Sequence, residues 1–453
     1  MNRAITEDKR FYKSLLAIGL PIAIQNLISS SLNMVDNVMI ASLGESNIAA
    51  VGFANQFFFI FALLSFGINS GSAIFISQFW GKKDVINIRR IMGVALVLGG
   101  SLSLLFTALA LLIPEQILGI FTNDTEVISL GMEYLIIVCF SYFINGISFS
   151  FGFASRSIGQ AKIPMFVSAI ALGCNTLLNY TLILGNFGFP ALGIKGAAIA
   201  TLISRAIEVL LLITIIYGKK GVLAGKISEM MSFNTNLLSR FIERAGPVIA
   251  NEAFWVAGMS AYLAAYGRIS TTAVAAVQVS NTINNLFMVV SMGLGNASAV
   301  MIGNALGANK RDRAIRYARK FSIIGPIIGI VTGGLLILLS PYILVLFEKT
   351  PEVYILAKKI LIVMALAMSI RVFNTILVVG ILRGGGDTFF GFLLETGSVW
   401  LIGVPLAFLG SLVFKLPIYW VIGLVYLEEV VKAIVGIPRL ISKRWANNVV
   451  DHI

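Results

Sequence analysis

Asp36 sits late in a long apolar segment, and the polar residues Asn26, Ser29, Ser30 and Asn33 lead to it at steps of three and four. On a helix that spacing draws one polar stripe ending in an acid. A carboxylate inside a membrane span is costly, so it normally faces a bundle interior or a wet cavity. Two further polar elements follow: Asn175 and Asn179, one helical turn apart, and Thr201 in the next apolar segment. With Asp36 these can form a compact oxygen site for a proton or a sodium ion. Asn pairs also join helices and Thr also bonds its own backbone, and spacing alone does not bring the four together. No resident metal and no cofactor is expected.

A second constellation lies in the later half. Glu252 stands beside Asn251, with Trp255, Met259, Tyr262 and Tyr266 along one helical face. Gln278, Asn281 and Asn285 form another stripe, and Arg371 precedes Asn374 by three residues. An acid among aromatic rings suits flat organic cations, which are held by charge and by the ring faces. Asn33, Glu252, Trp255, Tyr262, Asn281 and Arg371 are therefore the candidate substrate contacts, although aromatic stripes also serve plain core packing. Arg371 is expected to pair with Glu252, Glu395 or Glu428. Arg205 with Glu208, and Glu428 with Lys432, have helix-surface spacing.

Several chemistries lack their residues. The one histidine is His452, at the very end, so histidine triads, metal sites and proton relays are excluded. Cys139 and Cys174 lie in apolar segments without paired spacing and are expected to be buried packing residues. Glu428 and Glu429 are adjacent, so they are not expected to share a face as an acid–base pair, and no nucleophile motif accompanies them. The chain is not expected to be an enzyme.

The elements that must position these residues are membrane helices. Of 453 residues, 58% are hydrophobic and 12% charged, and the mean hydropathy is +0.91. Soluble domains carry about 25% charged residues, and a spanning helix needs about 20 apolar ones. Apolar segments run at about 14–41, 48–79, 91–113, 128–153, 163–187 and 194–217, then 238–266, 272–305, 319–347, 353–381, 388–413 and 418–440. The expectation is an all-α integral membrane protein of twelve transmembrane helices in two pseudo-symmetric six-helix bundles. The domains are read as 1–217, a cytoplasmic linker at 218–237, and 238–453. The first segment is read as a span rather than a signal peptide. A β-barrel is excluded because the apolar runs do not alternate.

Lys and Arg crowd the amino terminus, the linker, the run Lys310 to Lys320, and Arg439, Lys443 and Arg444. The opposite side holds Lys195, Arg268, Lys349, Lys358, Lys359 and Lys415. That asymmetry puts both termini in the cytoplasm and explains the net charge of +13 without nucleic acid. The chain also repeats itself. At a shift of 226 residues Pro21 meets Pro247, Asn55 meets Asn281 and Gly81 meets Gly307; at 227, Arg156 meets Arg383 and Gly196 meets Gly423. An even number of spans per half restores the starting side, so the repeats are parallel, as in alternating-access transporters. Asp36 is matched by Tyr262, Asn175 by Ile402 and Asn179 by Leu406, so the fold repeats while this chemistry does not. A symmetrical passive channel would repeat its lining.

At these residues the chain resembles a bacterial member of the multidrug and toxic compound extrusion (MATE) family. The resemblance covers almost the whole length. It rests on Gly19-Leu20-Pro21, Asp36, Ser77-Gln78 with Gly81, Arg156-x-x-Gly159, Asn175-x-x-x-Asn179, Gly193-x-x-Gly196-Ala197-Ala198 before Thr201, Gly303-Asn304-x-x-Gly307, and Leu382-Arg383-Gly384 with Asp387. It implies two lobes that rock around a central cavity, and efflux of cationic drugs in exchange for protons or sodium ions. It also implies residence in a bacterial or archaeal plasma (inner) membrane with lipid around the chain; a monomer is expected. Asp36, Asn175, Asn179 and Thr201 match the family's amino-terminal cation site, with Asn179 where some members have Asp. Members coupled through the other lobe place Glu at the position of Trp255 and an acid near Arg371–Val372, so that second site does not carry over. An alternative on the same superfamily fold is a flippase for a lipid-linked oligosaccharide or another amphipathic anion. It would call for basic cavity residues, and Arg371 is the one expected deep in the membrane.

Overall fold

The computed structural model describes residues 2–345 and 350–451, apart from the side chains at 2–8, 32–34, 37 and 41. The described residues are almost entirely helical, because lipid offers no hydrogen-bond partners and each span must satisfy its own backbone. The first half contains α1 (Asn2–Ala41), α2 (Glu45–Lys82), α3 (Val85–Leu112), the short α4 (Pro114–Gly119), α5 (Thr125–Val138), α6 (Phe140–Ser157), α7 (Lys162–Leu182) and α8 (Gly193–Gly218). A small linker helix, α9 (Ile227–Met230), leads to the second half: α10 (Thr235–Gly267), α11 (Thr271–Gly307), α12 (Arg311–Leu344) and α13 (Pro351–Thr375). Then come α14 (Thr388–Ser398), α15 (Val404–Phe408), α16 (Ile418–Val425) and α17 (Leu427–Ile441). Wider π-helical turns at Ile376–Leu382, Val399–Gly403 and Leu409–Val413 interrupt the later spans.

These helices make twelve spans. Ten are long and apolar enough individually among the described residues, and α5 with α6 forms an eleventh, bent by 48°. The twelfth is α16 with α17, which breaks at Tyr426 and carries Glu428, Glu429, Lys432 and Arg439. Large apolar side chains such as Ile330, Leu338, Leu366 and Leu401 are outward-facing, the inverse of a soluble surface and what lipid requires.

Two compact units form, and they do not divide at the linker. The amino-terminal unit is Ile24–Ile76 with Asp84–Phe241; the carboxy-terminal unit is Ile242–Ile453 with Met1–Ala23 and Ser77–Lys83. Thus α1 changes unit after Ala23, and the last turns of α2 belong with the second half. The amino-terminal unit is centred on the rings of Phe57, Phe61, Phe106 and Tyr142. The linker folds onto this unit. Arg89 on α3 binds Val222 O at 3.0 Å and Glu229 Oε2 at 2.9 Å, and Gly93 leaves room for the Met230 carbonyl.

In the carboxy-terminal unit Phe11 packs on Tyr317 and Phe321. Here α2 crosses α11 with two-fold exchange of roles. A side-chain carbon on Gly81 would come within 2.2 Å of Asn304 O, and one on Gly307 within 1.8 Å of Gln78 O. The positions two residues on match as well, since Lys83 and Asn309, 226 residues apart, both turn with positive φ (62° and 56°). The repeat read in the sequence is therefore a repeat of backbone. Beyond α17 the chain returns as a strap. Trp445 is buried, Gln78 Nε2 donates to Asn447 O at 3.1 Å, and Val449 N donates to Gln78 Oε1 at 2.8 Å. Lys82 Nζ donates to Val450 O at 3.0 Å.

Candidate functional site

In the amino-terminal unit the structure brings Asp36, Asn175 and Asn179 into direct contact and links Thr201 to them through Ser204. Asn179 Nδ2 donates to Asp36 Oδ1 and, at 3.0 Å, to Asn175 Oδ1. Asn175 Nδ2 donates to Ser204 Oγ at 3.2 Å, and Ser204 Oγ donates to Thr201 O at 2.9 Å. The one-turn spacing on α7 puts both amides on the face that packs against α8, and each is only 1% exposed. Asn179 spends both its donors on Asp36 and Asn175, which leaves its Oδ1 buried without a hydrogen-bond partner. An acid and an orphan carbonyl oxygen thus lie together among α1, α7 and α8, with the Ser204 hydroxyl linked to them through Asn175.

Ser204 was not singled out from the sequence. It is three residues after Thr201 and so on its face, a signal that was present. One turn further along α8, Glu208 anchors a second chain. Arg205 Nη1 binds it at 2.9 Å, Ser168 Oγ donates to it at 2.9 Å, Gln25 Nε2 donates to Ser168 at 3.0 Å, and Arg156 Nη2 donates to Gln25 at 2.7 Å. The Arg205–Glu208 pair is the one expected, and the Arg205 charge also acts on Asp36.

The candidate substrate contacts scatter. The Asn33 side chain lies outside the described residues. Glu252 pairs with Arg383, Nη2 to Oε1 at 2.8 Å, and Arg383 is 3.8 Å from Glu395, which accepts a 2.7 Å bond from Asn251. The expected pairing of Arg371 is corrected: among the described residues it meets no carboxylate. It donates to Asn284 Oδ1 at 3.2 Å and lies over the Tyr426 ring at 5.1 Å. The sequence pattern put Arg383 in a loop, but the π-helical turn at Ile376–Leu382 continues the span, and Gly384 lets it pack against Ala299. Arg371 is consequently not the one deep base, since Arg383 and Lys432 are both buried.

Tyr262 donates to Glu428 Oε2 and stacks on Tyr266. Trp255 is half-buried and Asn281 exposed. The expected pair of Glu428 with Lys432 forms, and Lys432 reaches Glu429 as well. Its Nζ is 3.7 Å from Glu428 and 3.3 Å from Glu429, its positions three and four residues on serving adjacent acids equally. Of the cysteines, Cys139 is buried at the α5–α6 bend and Cys174 is half-buried; both are free thiols.

The MatE family profile matches the chain twice, over residues 21–181 and 247–409, which begin 226 residues apart. The chain is 26% identical over 415 residues to the probable multidrug resistance protein YoeA of Bacillus subtilis, covering 90% of this chain and 88% of that one. It is 22% identical over 452 residues to the probable multidrug resistance protein NorM of Thermotoga maritima, covering 97% and 94%. Among solved structures it superposes on a mutant of the Vibrio cholerae MATE transporter VcmN with a TM-score of 0.88 at 17% identity, over 97% of this chain and 99% of that one. A MOP superfamily transporter from Pyrococcus furiosus gives 0.87 at 20% identity, over 95% and 96%. At these identities the structures establish the fold.

Proposed function

The chain belongs to the MatE family, a family of multi-pass membrane transporters, and we propose that it exports lipophilic organic cations in exchange for a proton or a sodium ion bound at Asp36. The observation that carries this reading is the Asp36–Asn179 pair, with the orphan Asn179 Oδ1 beside it. The cluster offers one negative charge and unsatisfied oxygen, and it does so inside a span. Relatives named as multidrug resistance proteins cover nearly the full length, which supports the cargo class. The drug is held while Asp36 is ionised; the coupling cation then takes Asp36 and weakens that hold. Differential affinity between two access states gives the exchange its direction.

Asp36, Asn175, Asn179 and Thr201 hold the coupling cation in this reading. Glu252 is already engaged by Arg383, so the drug's charge is met by Asp36. The protein works as a monomer in a plasma membrane, with both termini cytoplasmic as the Lys and Arg distribution requires.

Reconstituted liposomes carrying an imposed proton gradient, then a sodium gradient, test the exchange with ethidium as cargo. Wild type should transport under one of the two, which names the ion, and Asp36→Asn should not. Undiminished ethidium flux in the mutant removes Asp36 from the mechanism.

A further inference from the structure

We propose that Glu428, inside the carboxy-terminal unit, is a second proton-binding site. The cluster around it holds two carboxylates and one ammonium. Glu429 is well served as an anion, with Lys432 Nζ at 3.3 Å on one oxygen and Asn374 Nδ2 at 2.7 Å on the other. Glu428 has only the longer Lys432 contact of 3.7 Å and the Tyr262 hydroxyl. It is 4% exposed and Lys432 5%. Once Glu429 has matched Lys432, Glu428 is the surplus charge.

Among the described residues, no neighbouring element neutralises it. Arg371 on α13 is held by Asn284 and Tyr426. Glu395 on α14 adds further negative potential to both Glu428 and Lys432. From α10 come only the hydroxyls of Tyr262 and Tyr266, and between α16 and α17 only that of Tyr426. A buried carboxylate whose charge is only partly matched is costly in such a place, and a proton is the smallest cation that removes the cost.

The surroundings are built for this pair. Gly403 closes the π-helical turn Val399–Gly403, and any side-chain carbon there would fall 1.9 Å from the Tyr262 hydroxyl and 2.3 Å from Glu428 Oε2. Turns of this kind recur at functional sites. Asn374, 3% exposed, presents beside the cluster an Oδ1 without a hydrogen-bond partner. The internal repeat adds an independent reason. Tyr262 is the counterpart of Asp36, Glu428 of Thr201 and Lys432 of Arg205. Each half therefore carries one acid, one hydroxyl and one base at matched positions, with the acid and the hydroxyl exchanged between the first and the last span of the half.

This site stands apart from drug export, and infrared difference spectroscopy of lipid-reconstituted protein across a pH titration tests it separately. Wild type should show the C=O band of a buried protonated carboxyl that persists in Asp36→Asn and vanishes in Glu428→Gln. Tyr262→Phe, which removes one oxygen and spares the charges, should shift the band. A spectrum whose only such band disappears in Asp36→Asn, or a band unmoved in both Glu428→Gln and Tyr262→Phe, overturns the proposal.

Discussion

Asn179 holds Asp36 from the neighbouring helix, its amide donating to the Asp36 carboxylate and to Asn175 one turn below. Those donations stabilise the ionised acid, so they set how readily a bound cation leaves. Asn179→Leu removes the donor, and a lost charge-assisted bond in a buried site is worth about 1.5–3 kcal/mol. Where the coupling cation is a proton, the expected outcome is about tenfold tighter apparent binding with slower maximal ethidium efflux; where it is sodium, which also loses the Asn179 Oδ1, binding weakens. Efflux kinetics against gradient strength read both; unchanged cation affinity contradicts the role given to the amide.

Arg383 and Glu252 form a buried pair whose members are worth more together than apart. Arg383→Met strands Glu252 and Glu395, and a broken buried pair costs about 3–5 kcal/mol. Adding Glu252→Gln should recover a large part of that loss. Thermal unfolding of the two single variants and the double variant gives the coupling directly, and simple additivity would show that the pair contributes nothing.

Outside the membrane, Glu229 ties the linker to α3. Its carboxyl is held below its ordinary pKa first by the Lys226 backbone N–H and also by the Arg89 charge, against a smaller opposing effect of burial. A depressed folded pKa means that the docking is complete above the ordinary carboxylate pKa and is lost as pH falls through the folded value. Amide exchange of residues 222–230 should therefore quicken on acidification in the wild type and be fast and pH-independent, after correction for intrinsic rates, in Glu229→Gln.

Gln78 closes the strap through both ends of its amide. Gln78→Leu removes the acceptor of Val449 N–H and the donor to Asn447 O. With about 0.5–1.5 kcal/mol per bond, exchange of the Val449 amide should rise about tenfold, while helix amides of α17 stay protected. Equal acceleration throughout α17 would mean that the residue supports the span and not the strap.

The spans and the Asp36 cluster were legible because polar residues are rare in apolar helices. Asn175 and Asn179 fall one turn apart, and a helix converts that spacing into a shared face. What stayed hidden depended on backbone irregularity and on partners far along the chain. Arg383 reads as a loop residue until π-helical turns lengthen its span, and Glu252 then has a base 131 residues away. Arg371 looked like the natural partner of an acid, yet Asn284 and the Tyr426 ring satisfy it. Lys432 was legible as the partner of Glu428, but its reach to the adjacent Glu429 was not.

The crossing of Gly81 and Gly307 has the form of an interface between identical subunits. Each glycine faces the carbonyl group that sits three residues before the other, as self-complementary contacts across a two-fold axis do. A contact of that form lets the two halves share a backbone while their side-chain chemistry differs, as Asp36 and its counterpart Tyr262 do.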